Sequence, residues 1–350
     1  MPERLAIITG ANSGVGLAVA RRLFEDAASE QRLDELRVCL ACRSRSKAET
    51  AKKELEAEFG PDIRIDLIEM DVSRPTSVYR AVETIRSKYK YVDWLFLNAG
   101  IMPVSRVNWS AFWPPYPRYS HKNFILAVFR TLDFSSHVLQ ALVDGGQLLE
   151  CVDELTEDGL QAIFATNVFG HFLLVKGLED FLANQGQPAH VIWTSSATAL
   201  KQPFDIDDIQ HVEGNDPYGS SKYAIDLLSL ALNEKLNKRN IYSHVVCPGL
   251  IMTNMTLRIL PGWIWYLLYP VAFLMRLING SWTYFPYCGA EALVWLAKQA
   301  PEGLNHSAKY HSRCTPFGRS YVETTKNVLS QDIALKLYEK LNQLAGKFET

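Results

Sequence analysis

The stretch Leu5-Ala6-Ile7-Ile8-Thr9-Gly10-Ala11-Asn12-Ser13-Gly14-Val15-Gly16 decides the fold. A short apolar run enters a glycine-rich turn, and Val15, Val19 and Leu23 then recur at helical spacing. Strand, turn and helix in that order aim a helix N-terminus at whatever lies over the turn. Gly10, Gly14 and Gly16 leave room there for the close backbone approach that a pyrophosphate needs. Glycines so spaced also occur in ordinary turns, but the strand before them and the helix after them favour a dinucleotide.

Working outward, short β-rich runs keep alternating with helical patterns. Strands are expected at Leu5 to Thr9, Val38 to Cys42, Ile63 to Glu69, Trp94 to Leu97, His190 to Thr194, Ser243 to Cys247 and Ala308 to His311. Helices are expected after Gly14, Ser46, Pro75, Thr156 and Pro217, and Ile333, Leu337, Leu341 and Leu344 form one apolar helical stripe near the end. The alternation predicts an α/β fold: a Rossmann-like, doubly wound parallel sheet with helices on both faces, in one domain across residues 1–350. Two segments break the rhythm. Residues 103–147 make an unusually long connection, and 257–286 contain a run, Ile259 to Met275, with no charged residue between Arg258 and Arg276.

Bulk properties narrow the function classes. With 48% hydrophobic residues the chain can build a real core, and 36 Lys+Arg against 38 Asp+Glu leave no field to attract a polyanion, so nucleic acid is not an expected partner. Six cysteines scattered through the chain suit a reducing compartment. Cys39 and Cys42 form a C-x-x-C inside a strand, where residues three apart face opposite ways and chelate poorly; no metal site is expected. No signal-peptide pattern opens the sequence.

The chemistry-bearing residues sit at expected strand and helix ends. The second strand ends in Cys42-Arg43, without the acidic residue that would hold a ribose 2′-hydroxyl. Arg43 suits a 2′-phosphate, with Lys47 assisting, which favours NADPH over NADH; a solvated surface charge is the alternative. Tyr218 and Lys222 are four apart on one face of the helix that begins after Pro217. A phenol with an ordinary pKa of about 10 becomes a useful acid only beside a fixed positive charge. The pair alone is commonplace on helices. Upstream, Val191-Ile192-Trp193-Thr194-Ser195-Ser196 reads as a strand ending in hydroxyls, where open α/β sheets place their sites.

Taken together, Thr-Gly-x-x-x-Gly-x-Gly, Asn98-Ala99-Gly100, Asn167-Val168-Phe169-Gly170 and Tyr218-Gly219-Ser220-Ser221-Lys222 resemble the short-chain dehydrogenase/reductase family. The resemblance implies that Thr9, Gly10, Asn12, Ser13, Gly14, Val15 and Gly16 hold the cofactor, that Asp71 and Val72 border its adenine, and that Asn98, Ala99 and Gly100 shape its floor. It implies Tyr218 as proton donor, Lys222 and Asn167 as a proton relay, and Ser196 as hydrogen-bond donor to the substrate carbonyl, with Ser195 the alternative. Pro248, Gly249 and Thr253 match the loop that contacts the nicotinamide. One departure is that Ser196 and Tyr218 stand farther apart than usual in the family, so an insertion such as Phe204 to Asn215 must loop out.

Whole phrases, among them Leu97-Asn98-Ala99-Gly100-Ile101-Met102-Pro103 and Glu291-Ala292-Leu293-Val294-Trp295-Leu296, resemble the 3-ketosteroid reductases within that family. That group implies a sterol 3-ketone as substrate, left after C4-demethylation, with some members also reducing the 17-ketone of estrone. It also implies the endoplasmic reticulum membrane as location, a cytosol-facing catalytic domain, membrane lipid as a contact and the other C4-demethylation enzymes as partners. Alternatives are a retinoid or other lipid-carbonyl reductase, a catalytically silent dinucleotide-binding scaffold and a membrane interaction protein. The apolar run is expected to lie in the membrane interface over the substrate site. Pro261, Gly262 and Pro270 interrupt it as a spanning helix, while Trp263, Trp265, Tyr266 and Tyr269 suit the headgroup boundary. A single span and a buried lid are the other readings.

Overall fold

The computed structural model describes residues 3–107, 149–251, 280 and 283–349. Their centre is an eight-stranded sheet, built from β1 (Arg4–Thr9), β2 (Leu36–Cys42), β3 (Arg64–Glu69), β4 (Trp94–Leu97), β7 (Ala189–Thr194), β8 (Ile241–Cys247), β9 (Ala308–Cys314) and β10 (Ser320–Lys326). Its order is β10-β9-β8-β7-β4-β1-β2-β3. All neighbours run parallel except β9 and β10. The doubly wound expectation therefore holds, with an antiparallel edge strand added. β5 (Val104–Val107) and β6 (Leu149–Cys151) form a separate antiparallel ribbon at the two ends of the long connection.

Alternation along the strands divides the core. Leu5, Ile7, Cys39, Leu95, Leu97, Val191 and Trp193 face one layer, which holds α3 (Pro75–Lys88), α4 (Gly170–Ala183), α5 (Pro217–Leu236) and α7 (Gln331–Ala345). Ala6, Ile8, Val38, Cys42, Phe96 and Ile192 face the other, which holds α1 (Gly14–Ser29), α2 (Arg45–Phe59) and α6 (Glu291–Ala297). A buried strand needs apolar residues on both faces, hence its continuous hydrophobic runs. Cys39 and Cys42 fall on opposite faces, and burial pushes their thiols up to about 12 and about 11. Both behave as small core residues.

One expectation needs correction, and two others gain detail. The helix anticipated after Thr156 starts only at Ala162, because Thr156 N donates to Leu160 O at 2.8 Å and Gly159, with φ +74°, turns the chain first. The stretch from Phe204 to Asn215 has no regular structure but does not simply loop out: Phe204, Ile206 and Ile209 pack on the core, and the Phe204 ring lies 5.5 Å from that of Tyr223. The C-terminal stripe packs on the core as expected, with Leu337 and Leu341 fully buried and Ile333 and Leu344 partly buried against it. The run from Ile259 to Met275, most of the 103–147 insert and Thr253 lie outside the described residues.

Candidate active site

The strand order reverses direction between β1 and β4, which opens a crevice at the carboxyl ends of the parallel strands. The glycine turn lines it. Gly10 and Gly14 have φ of +66° and +59°, a region that costs a side chain dearly, and Gly10 N is tied to Ala41 O at 2.8 Å. A Cβ on Gly16 would stand 2.6 Å from Gly10 O and 2.7 Å from Asn98 Nδ2, so α1 packs against the turn only because that atom is missing. Ser13 precedes α1 without capping it through its side chain, and the first turn holds no acidic residue. Its amide end therefore faces the crevice without an internal anion, next to Asn12 and Val15.

Thr9 joins the turn to the floor. Its Oγ1 accepts from Asn98 N at 2.9 Å and Ala99 N at 3.0 Å, and it lies 2.9 Å from His171 Nε2. His171 Nδ1 is 3.2 Å from Asn167 O. A carbonyl can only accept, so Nδ1 carries the proton, Nε2 accepts, and Thr9 donates to it. Burial pushes the His171 pKa down to about 4, which keeps the ring neutral in that arrangement. Past β2, Arg43 and Lys47 are exposed, and Arg43 has no side-chain partner among the described residues, while Ser44 Oγ caps α2 by accepting from Lys47 N at 3.4 Å. Past β3, Asp71 Oδ1 accepts from Ser73 N and Oγ at 3.0 Å and 2.7 Å. Val72 O sits where a Cβ on Gly170 would come within 1.8 Å, so Gly170 lets α4 meet this loop.

The second cluster forms at the start of α5. Asp216 accepts from Gly219 N at 2.8 Å and caps the helix, Pro217 occupies its first position, and Tyr218 and Lys222 follow one turn apart. Lys222 Nζ donates to Thr194 O at 2.8 Å and lies 5.6 Å from the centre of the half-buried Tyr218 ring. Its ammonium is pushed down to about 8, chiefly by burial and then by the nearby Lys309 ammonium. Asn167 stands in a π-helical turn, Ala165–Phe169, ahead of α4. Its side chain accepts from Ile101 N at 2.8 Å and donates to Ile101 O at 3.2 Å and Ser221 Oγ at 3.0 Å. A Cβ on Gly100 would lie 3.1 Å from Asn167 Oδ1 and 3.7 Å from Lys222 Nζ, so Gly100 leaves the space beside these two side chains open.

The two serines separate by burial. Ser195 is buried and lies 3.0 Å from Lys309 Nζ, whereas Ser196 is half-buried, its Oγ 2.9 Å from Thr198 Oγ1. Pro248 and Gly249 follow β8 beside this cluster, with Gly249 at φ +80° and Pro248 O accepting from Thr283 Oγ1 at 2.9 Å. Ile101 continues into an open cleft whose lining, Pro103, Val104, Val152 and Ala162, is apolar apart from Glu154. Sequence reasoning read Gly170 only as part of a family motif, without its packing role against Val72, and missed His171 and the Lys309 contact, which carry no local signal.

The model of the short chain dehydrogenase family matches residues 4–114 and 122–261. The chain belongs to that family. Within it, the chain is 44% identical over 342 residues to human 3-keto-steroid reductase/17-beta-hydroxysteroid dehydrogenase 7, covering 98% of this chain and 93% of that one. It is 34% identical over 351 residues to the 3-keto-steroid reductase of Schizosaccharomyces pombe, covering 97% of each. In fold, this short-chain dehydrogenase is similar to the L-sorbose reductase of Gluconobacter frateurii, solved with NADPH and L-sorbose. The TM-score is 0.56 at 21% identity, over 89% of this chain and 95% of the other.

Proposed function

We propose that this short-chain dehydrogenase reduces the 3-ketone of a sterol to the alcohol with NADPH, and that a 17-ketosteroid is a further substrate. One observation carries the reading: Tyr218, Lys222 and Asn167 converge at the end of the sheet where β7 runs into Ser196, in a chain alike over nearly its whole length to 3-keto-steroid reductases.

The residues present fit the cofactor. Gly10, Gly14 and Gly16 provide a cradle that a Cβ would fill, the open end of α1 suits a diphosphate, and Arg43 suits a 2′-phosphate. Asp71, Val72 and Asn98 to Gly100 border the same crevice, with Pro248 and Gly249 at its nicotinamide end. When bound, NADPH supplies the hydride. Tyr218 then protonates the forming alkoxide, which Ser196 holds through its hydroxyl. Lys222 beside the phenol lowers the cost of the phenolate, and Asn167, fixed at both ends by Ile101, aligns the return of the proton. Purified chain with NADPH and a panel of a 3-keto sterol, estrone and retinal tests the reading. Preference for retinal would replace it with a retinoid reductase, and no turnover of any ketone would leave the scaffold reading.

We also place the chain at the endoplasmic reticulum membrane, facing the cytosol, with residues 259–275 in the interface and the other C4-demethylation enzymes as neighbours. No helix among the described residues is long and apolar enough to cross a membrane. Ile251 pairs with Tyr284 in a parallel bridge, so the described residues on either side of that run lie next to each other, which supports a re-entrant course over a single crossing. Leu250 and Phe285 stand exposed at that point.

A further inference from the structure

We infer that Lys309 is a positioning residue for the reaction, holding the Ser196 end of β7 against α5, the helix that carries Tyr218 and Lys222. The inference rests on the ketone-reductase reading for what is positioned, and on geometry for how. Lys309 projects from β9, a strand beyond those that carry the proposed catalytic side chains. Its Nζ donates to Ser196 O at 2.8 Å, Ser195 Oγ at 3.0 Å and Asp226 Oδ2 at 2.7 Å, so all three ammonium protons are used. Lys309 is 7% exposed and Asp226 2%.

Each contact reaches a different part of the site. Ser196 O belongs to the residue whose hydroxyl would hold the substrate oxygen, and the only other hydrogen bond to that carbonyl among the described residues is a 3.4 Å one from Ala199 N. Asp226 lies one helical turn past Lys222, and Asn327, just after β10, donates to the same Oδ2 at 3.0 Å. One buried ion pair thus ties the last two strands, the serine loop and the Tyr-Lys helix at a single point. Stability alone does not call for it, because burying two charges costs about as much as their attraction returns and an apolar pair packs equally well. What an ion pair with three directed bonds adds is orientation. The Lys309 charge is also felt at Lys222, so the tether lies near the Tyr-Lys pair.

The test uses the full chain carrying Lys309→Met and, separately, Lys309→Met with Asp226→Leu, which leaves no buried carboxylate unpaired. Amide exchange over residues 195–200 should quicken at least about tenfold while that of β7 stays protected. With the keto sterol, kcat should fall about tenfold or more while the Kd for NADPH holds, because a misplaced serine costs turnover and not cofactor affinity. Wild-type kcat in a folded variant overturns the inference, whether or not exchange changes, and so does wild-type exchange over 195–200. Where the single variant does not fold, the double variant decides, with Ser195→Ala, which removes one of the three bonds and no charge, as the mildest version. If the wild-type chain reduces no ketone at all, the functional reading fails, while exchange still decides the tether.

Discussion

Lys222 should impose an alkaline limit on turnover, and its place in the fold sets where that limit falls. The ordinary lysine value of 10.5 drops to about 8, first because the buried ammonium loses its water and then because Lys309 repels it; Asp226 and Cys247 pull the other way. The other titratable groups beside it are Tyr218 and the neutral His171. In the charged form Lys222 favours the phenolate of Tyr218, so loss of the proton removes that support. The expected kcat/KM for the ketone, at saturating NADPH, is level to about pH 8 and then falls about tenfold per pH unit, reaching about a hundredfold by pH 10. The sign for stability is opposite. Between pH 8 and 10.5 the unfolded chain keeps a proton that the folded chain has shed, so folding stability rises with pH across that window. Holding the charged form buried below pH 8 costs about 3 kcal/mol. Initial rates from pH 6 to 10, paired with urea unfolding at pH 7.5 and 9.5, read both trends. A profile level to pH 10, in a protein still folded there, would refute the argument.

Tyr218→Phe removes the proton donor and little else, so turnover should drop by about 10²- to 10⁴-fold while the Kd for NADPH, followed by fluorescence, stays near wild type. Arg43→Asp should shift the ratio of kcat/KM with NADPH to that with NADH by about one to two orders of magnitude towards NADH, since a charge-assisted partner of the 2′-phosphate becomes a partner of the ribose hydroxyl; an unchanged ratio would exclude Arg43 as the selector. Gly16→Ala should weaken NADPH binding more than it lowers Tm, because the added Cβ meets Gly10 O and Asn98 Nδ2 at the cradle itself. A tag placed after Thr350 in sealed microsomes should be digested from outside, with the Asn-x-Ser/Thr acceptor sequences at Asn108, Asn254, Asn279 and Asn305 unglycosylated; a protected tag with a glycan on Asn305 would defeat the cytosolic placement.

How far the sequence could be read depended on whether a signal was local. β1, the glycine turn and α1 were legible because their pattern lies within a few residues, and the parallel strands because burial on both faces makes continuous apolar runs. β10 was not, since Ser320–Lys326 is an edge strand with mostly polar, exposed side chains and no alternation to betray it. The helix expected after Thr156 starts only at Ala162, because Gly159 first turns the chain, and a π-helical turn at Ala165–Phe169 joins it to α4; neither feature leaves a hydrophobic period to read.

The chemical residues divide along the same line. Tyr218 and Lys222 share one helix face by their spacing, but only the accompanying family motifs single that pair out, and the same resemblance, not the strand that both serines end, favours Ser196 over Ser195. What separates them is Lys309, 114 residues from Ser195, which donates to the first hydroxyl but only to the backbone carbonyl of the second, whose half-buried hydroxyl accepts from Thr198. Thr9, His171 and Asn167 make a comparable chain, joining the cofactor turn to the relay through a neutral imidazole. Such links are made by buried polar groups whose partners come from distant strands. A buried group without a partner is costly, so each of them constrains the fold as strongly as an apolar contact while leaving no periodicity to read. It follows that the two halves of this site are mechanically continuous. Loss of His171 should disturb both NADPH affinity and turnover, whereas Tyr218→Phe should disturb turnover alone.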